Sequence, residues 1–190
     1  MVSLVTGGAG FIGSHLCELL REKGDFVLVL DDFSTGRRDN LEKLAEDPEV
    51  QLVEGTILDQ GLVNSLVQQA DRVFHLAAAV GVKLVVQRPL HTANVNLLGT
   101  HHVLEAAATS GTPVLIASSS EAYGNQAAQR FQESTPSVLG PVQEMRWIYG
   151  LTKLADEYLA RAYAAERGLR VVSARFFNTT GPRQTGRYGM

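Results

Sequence analysis

The sequence has a single cysteine, Cys17, among 190 residues. No disulfide can close within it, and a reducing, cytoplasmic setting is the default expectation. It also has no apolar run near the ~20 residues that a membrane-spanning helix requires. The start "MVSLVTGG" lacks the basic stretch and cleavage site of a secretory signal. Charge of one sign is scarce: 17 basic against 20 acidic residues leave −3. A protein that grips nucleic acid usually shows a basic face. The histidines stand at no spacing from Cys or acidic residues that suggests a metal site. Repeats, low-complexity tracts and evident linkers are absent as well. The composition is that of an ordinary soluble globular protein, 45% hydrophobic and 19% charged. The chain is long enough for one domain and short for two.

Six short apolar runs are present: "SLVTG", "FVLVLDD", "VQLVEG", "RVFHLAAA", "PVLIASSS" and "RVVSARFF". They lack strict alternation, which predicts strands buried on both faces. Helical stretches separate them. "FIGSHLCELLREKG" puts Ile12, Leu16, Leu19 and Leu20 on one stripe, with Gly24 as a stop. "NLLGTHHVLEAAATSG" ends at Gly111. "YGLTKLADEYLARAYAAERG" offers Leu151, Leu154, Ala155, Tyr158, Leu159 and Ala162 before Gly168. Alternating strands and helices predict an α/β fold with a doubly wound parallel sheet, helices covering both faces.

The turn "LVTGGAGFIGSHL" follows a predicted strand and opens a predicted helix. Gly7, Gly10 and Gly13 stand at the spacing that lets backbone approach a pyrophosphate at a helix N-terminus. The second strand ends at Asp31, with Asp32 beside it, about where a ribose-binding carboxylate belongs. A carboxylate there repels a 2′-phosphate, which favours NAD over its phosphorylated form. Arg37 and Arg38 lie just beyond and read as a solvated turn.

Tyr149 and Lys153 are four residues apart on a predicted helix, so both point the same way. A tyrosine serving as a base near neutrality must release a proton ordinarily held to about pH 10. Lowering that by about three units takes roughly 4 kcal/mol of preferential tyrosinate stabilisation. A neighbouring ammonium and a positive nicotinamide ring both act in that direction. Ser119, in "SSSEAYG" at the end of a predicted strand, would hold the substrate oxygen.

The pieces "TGGAGFIG", "DDFSTG", "HLAAAVGV", "NVNLLGT", "SSSEAYG", "YGLTK" and "RFFNTTGPRQ" run almost end to end. Together they resemble the N-terminal part of an extended short-chain dehydrogenase/reductase, in the NAD-dependent nucleotide-sugar epimerase/dehydratase family. The resemblance implies a Rossmann fold and a catalytic triad of Ser119, Tyr149 and Lys153. It places the cofactor along Gly7, Gly10, Phe11, Ile12 and Gly13, with Asp31, Asp32, Ala77, Asn96, Tyr149 and Lys153 in contact. Asn178 is expected near the substrate's diphosphate. Relatives commonly have Asp after the glycine of "VEGTILD"; here Thr56 stands there, and Asp59 is the nearest acidic residue for the adenine side. Residues 1–176 are expected to form the cofactor domain. Residues 177–190 would begin a smaller substrate domain, the chain then being truncated.

Members of such a family oxidise a sugar at C4 and differ in the second step. Glu121, two residues after Ser119, suits decarboxylation or dehydration, and the bland alternative is a carboxylate capping the next turn. The order Ser-Ser-Glu together with Asp31 favours a UDP-glucuronate decarboxylase, with a UDP-hexose 4-epimerase as the alternative. A reading from another class is an NAD-binding module without catalysis. The expected partners are a UDP-sugar and, through helices near 89–109 and 148–166, a second copy of the chain.

Overall fold

Successive side chains of a strand face opposite sides of a sheet, and in β1 (Val2–Thr6) this sends Leu4 and Val5 into two different cores. The same division holds in β2 (Phe26–Asp31): Leu28 and Leu30 join Leu4, while Val27 and Val29 join Val5. All six side chains are at most 2% exposed. Both faces of the central strands are therefore packed, which explains their unbroken apolar runs.

The computed structural model describes residues 1–125 and 130–185. After β1 and β2 come β3 (Val50–Glu54), β4 (Arg72–His75), β5 (Val114–Ser119) and β6 (Val171–Phe176). They form one parallel sheet in the order β3-β2-β1-β4-β5-β6. The chain winds outward from β1 in one direction, then restarts beside it at β4. That reversal opens a crevice beyond the C-terminal ends of β1 and β4, where doubly wound sheets bind ligands. Helix α1 (Phe11–Glu22) packs on β1 and β2. Helix α2 (Gln60–Val67) packs on α5 (Gly99–Ser110), and α5 packs on α6 (Trp147–Arg167). Two short helices, α3 (Val82–Gln87) and α4 (Pro89–Ala93), lead through one π-helical turn, Asn94–Leu98, into α5.

Three sequence expectations are corrected here. The edge strands are not buried on both faces: Leu52 in β3 is 38% exposed and Val172 in β6 is 61% exposed. In α1 the packed stripe is Gly13, Ser14, Cys17 and Leu20, while Leu19 lies outside it. In α6 the buried face is Thr152, Lys153, Asp156, Ala160 and Tyr163, and Leu151 and Tyr158 face out. The inward side of α6 carries Lys153 and Asp156, so Leu151 and Tyr158 lie on the surface, while Leu159 of the expected stripe still packs against the core. Helix stops are as expected: Gly111 and Gly168 take left-handed conformations that end α5 and α6.

Candidate active site

The glycine turn is shaped by close approach. Gly7 has φ +73°, and a methyl group there would sit 2.7 Å from the backbone nitrogen of Ala77, where β4 runs out. A methyl group on Gly13 would overlap the Gly7 carbonyl oxygen. These two positions let α1 press onto the turn while the turn presses onto the sheet. Gly10 caps α1 with no side-chain bond, so the helix's first N–H groups keep their donors for an anion. Asp31 is buried, and its carboxylate accepts from Ala9 N at 2.9 Å and Phe33 N at 2.8 Å. Burial pushes its carboxyl upward, against the pull of those two N–H groups. Asp32 accepts from Ser34 N at 2.9 Å. Each carboxylate oxygen has two acceptor sites, so both residues retain capacity for ribose hydroxyls. A glycine cradle, a free helix start and paired carboxylates fit a dinucleotide. Arg37 and Arg38 are turned to Asp39 and Glu54 on the surface.

One cavity of about 670 Å³ begins at this turn. Gly7, Gly10, Phe11, Ile12, Gly13, Asp31 and Asp32 line one end, and Ala77 follows. Ser119, Glu121, Tyr149 and Lys153 line it further on, together with Asn178. Two predicted residues are placed elsewhere. Asp59 caps α2, accepting from Leu62 N at 3.0 Å, and Gly55 and Ile57 take the cavity wall near it. Asn96 is fully buried and braces the loop after β4: it accepts from Ala79 N at 2.8 Å and donates to Thr152 Oγ1 at 3.1 Å.

"SSSEAYG" divides its tasks. Ser118 donates to Glu157, which in turn holds Arg175. Ser119 Oγ accepts from Glu121 N at 3.2 Å and so caps the short 3-10 turn Ser120–Tyr123. The same Ser119 hydroxyl lies near enough to the phenol of Tyr149 to favour its ionised form, and both line the cavity. Among the described residues the Glu121 carboxylate makes no capping bond; the residue lines the cavity half-buried, and burial pushes its carboxyl up against the opposing charge of Arg146.

The phenol of Tyr149 is pushed up to about 12, by burial first and by the charges of Glu121 and Asp156 after it. This is opposite to what a base needs, and the expected ammonium is engaged otherwise. Lys153 Nζ lies 3.5 Å from Asp156 Oδ2, both side chains almost fully buried. Burial draws the lysine down and the carboxylate holds it up. The other carboxylate oxygen of Asp156 has no hydrogen-bond partner among the described residues. Beside it, the Thr100 hydroxyl at the start of α5 meets His75 Nε2 at 3.1 Å, and His75 Nδ1 meets Thr6 Oγ1 at 2.7 Å. A buried polar string thus ties α5 to the ends of β1 and β4.

The structure adds residues that the sequence pattern did not single out. Asn40 lines the cavity and donates to Ala9 O at 2.7 Å. Val82, Val85 and Val86 of α3 form an apolar wall. Arg183 lines the cavity and is bonded to Ser14 and Glu18 of α1. Asn40 had no signal in its local pattern, whereas the clustered valines read equally well as core.

A family model described as GDP-mannose 4,6 dehydratase matches residues 4–189. The chain belongs to this family. Among the family's relatives is a UDP-N-acetyl-alpha-D-glucosaminuronate decarboxylase of Bacillus cytotoxicus, 39% identical over 95% of the chain and 55% of the relative. The structure is similar to that of DesIV, a dTDP-glucose 4,6-dehydratase from Streptomyces venezuelae with NAD bound. The TM-score is 0.90 at 33% identity, over 98% of this chain and 58% of that one. It is also similar to a UDP-glucose 4-epimerase from Thermotoga maritima with UDP-glucose, with TM-score 0.88 at 32% identity, over 100% and 60%. The chain spans about half the length of the curated relatives it matches. Among the described residues, no helix is long and apolar enough to cross a membrane.

Proposed function

We propose that this chain is the NAD-binding and catalytic part of an enzyme that modifies a nucleotide sugar through transient oxidation at C4. The first choice of reaction is decarboxylation of UDP-glucuronate. The observation that carries the reading is the meeting of Ser119, Glu121, Tyr149 and Lys153 on the cavity that the glycine turn opens. Bound NAD supplies the hydride acceptor, and later the donor, for C4. Gly7, Gly10 and Gly13 would hold its pyrophosphate, and Asp31 and Asp32 a ribose.

Tyr149 takes the proton of the C4 hydroxyl, and Ser119 keeps that oxygen in line with the phenol. Lys153, its charge maintained by Asp156, stands on the same wall to stabilise the tyrosinate. With a ketone at C4, the C6 carboxylate is in the β position. The C5–C6 bond breaks, carbon dioxide leaves, and the electron pair passes into an enolate at C4. Glu121, on the same wall of the cavity, is the proposed donor of a proton to C5. Similarity to a decarboxylase over nearly the whole chain supports this choice. The second reading, a UDP-hexose 4-epimerase, is supported by the fold's likeness to such enzymes. Asn178 and the loop it starts are the proposed contacts of the diphosphate. A homodimer is proposed through α6 and the π-helical turn, which pack on each other and expose Leu97, Leu98, Leu151 and Tyr158.

The test is to assay the chain, and a version extended to the length of its relatives, for carbon dioxide release from UDP-glucuronate and for UDP-glucose epimerisation. Carbon dioxide release from UDP-glucuronate supports the first choice. Turnover of neither sugar with NAD retained means a binding module.

A further inference from the structure

Strand β6 forms one edge of the sheet, three positions from β1. Neighbouring strands are about 4.8 Å apart, so roughly 14 Å of sheet separate the two. The chain that leaves β6 nevertheless returns to α1, the helix that follows β1. His15 Nε2 meets Pro182 O at 3.1 Å. A carbonyl only accepts, so that ring nitrogen carries the proton. Arg183 donates through Nη1 to Ser14 Oγ at 3.1 Å and through Nη2 to Glu18. A methyl group on Gly181 would stand 3.1 Å from the Phe11 ring. Consecutive residues of the returning chain are thus each seated on α1.

The crossing strains the backbone. Arg183 has φ +69°, a left-handed conformation that a side chain disfavours. Such a residue persists where its surroundings fix it. Here Ser14 and Glu18 do so, with the Arg183 and Glu18 side chains only 17% and 19% exposed. Lys43 also approaches Glu18, but from 3.8 Å and with its own side chain 74% exposed. The segment so fixed shares a cavity with the glycine turn: Thr179, Arg183 and Gln184 line it together with Gly10, Phe11 and Gly13. A pyrophosphate on the first N–H groups of α1 would therefore lie beneath the crossing.

The reaction proposed above sets a requirement that this segment meets. The hydride taken from C4 is returned later, so the site has to keep the reduced dinucleotide through the step between. If it escapes, the sugar is left as a ketone that the site cannot reduce. We propose that residues 180–185 are a strap across the cofactor cavity, and that Arg183, latched to Glu18, is the positioning residue that keeps the dinucleotide bound between the two hydride transfers. The inference rests on the C4-oxidation reading and goes beyond it by assigning cofactor retention to named residues.

The experiment uses the chain extended to the length of its relatives, as wild type, Arg183→Met and Glu18→Gln. Each is loaded with NADH, and release is followed by fluorescence after an excess of NAD is added. Both variants are expected to release NADH about tenfold faster, the effect of one lost charge-assisted bond read in a dissociation rate. During turnover of UDP-glucuronate both should leave NADH and the 4-keto sugar in solution, which wild type should not. Unchanged release in both variants overturns the proposal. Faster release from Arg183→Met with unchanged release from Glu18→Gln also overturns it, because Arg183 then acts as a direct phosphate contact and not as a latch. Urea unfolding checks each variant. Should Arg183→Met fail to fold, Glu18→Gln, which keeps the cavity's cation, decides alone. Faster release from both variants with no sugar oxidised by wild type upholds the strap and removes the C4-oxidation reading. A wild type that binds no NADH removes the cofactor from the cavity and the strap with it.

Discussion

The backbone of Gly150 lies so close to the carbonyl of Glu121 that a methyl group there would be 2.7 Å from the Glu121 oxygen. This contact joins α6 to the turn after β5, and so joins Tyr149 to Ser119. Gly150→Ala should push the two elements apart. The expected cost is about 1–3 kcal/mol of stability, typical of an added methyl in a packed site. Turnover should fall further than stability explains, and further than NAD affinity, because the glycine turn and Asp31 keep their places while Tyr149 is moved from Ser119. Denaturant unfolding, NAD titration and a rate measurement together check it.

Asp31 holds two segments at once, the glycine turn through Ala9 N and the loop after β2 through Phe33 N. Asp31→Asn would aim an amide at one of these donors. We expect a loss of about 1–3 kcal/mol in stability, along with weaker NAD binding. Asp32→Asn should weaken NAD with little change in stability, because Asp32 is exposed and bonded only to Ser34 N in the described structure. Equal stability in the two variants would refute this division.

The fold was legible because its signals are local and repeated. Apolar runs gave the strands, and Gly111 and Gly168 marked helix ends. The cofactor end was legible for the same reason, since Gly7, Gly13 and Asp31 lie within one strand–helix–strand unit. What the sequence hid is non-local. Asp59 looked like an adenine contact but is used as a helix cap, and Asn96 is occupied in bracing a loop. The stripe of α6 misled in part, because the helix turns the Lys153–Asp156 pair inward and Leu151 and Tyr158 out, while Leu159 keeps its place against the core.

Those outward residues make a prediction of their own. Leu151 and Tyr158 are 49% and 69% exposed on α6, two turns apart on the helix surface. If they form the proposed interface between copies, Leu151→Glu should yield a monomer by sedimentation, because a buried unpaired charge is strongly unfavourable. A wild type that is already monomeric at high concentration would remove the interface.

Tyr149 should report the cofactor directly. In the unliganded chain its phenol is pushed up to about 12 by burial and two carboxylates. A nicotinamide cation beside it acts in the opposite sense. The ultraviolet titration difference between wild type and Tyr149→Phe should therefore move to lower pH when NAD is added. The variant should bind NAD and lose turnover. An unmoved titration, or an active Tyr149→Phe, would remove the phenol from its role as base.

His75 predicts how the fold responds to acid. It is buried between Thr6 and Thr100, and burial lowers it from 6.5 to about 3. The unfolded chain then binds a proton that the native chain refuses, throughout the window between those two values. Stability should be at its full value above about pH 6.5 and fall as the pH drops, by up to about 1.4 kcal/mol per unit for this one group. The other buried groups act differently: Asp156 is raised to about 6, so its protonation favours the native state over part of the same window. A His75→Gln variant isolates the histidine. It should start less stable at pH 7, having lost part of the Thr6–Thr100 bridge, yet lose stability less steeply towards pH 4. Urea unfolding at half-unit steps gives both slopes. Parallel curves for wild type and variant would show that the imidazole takes up its proton in the folded state.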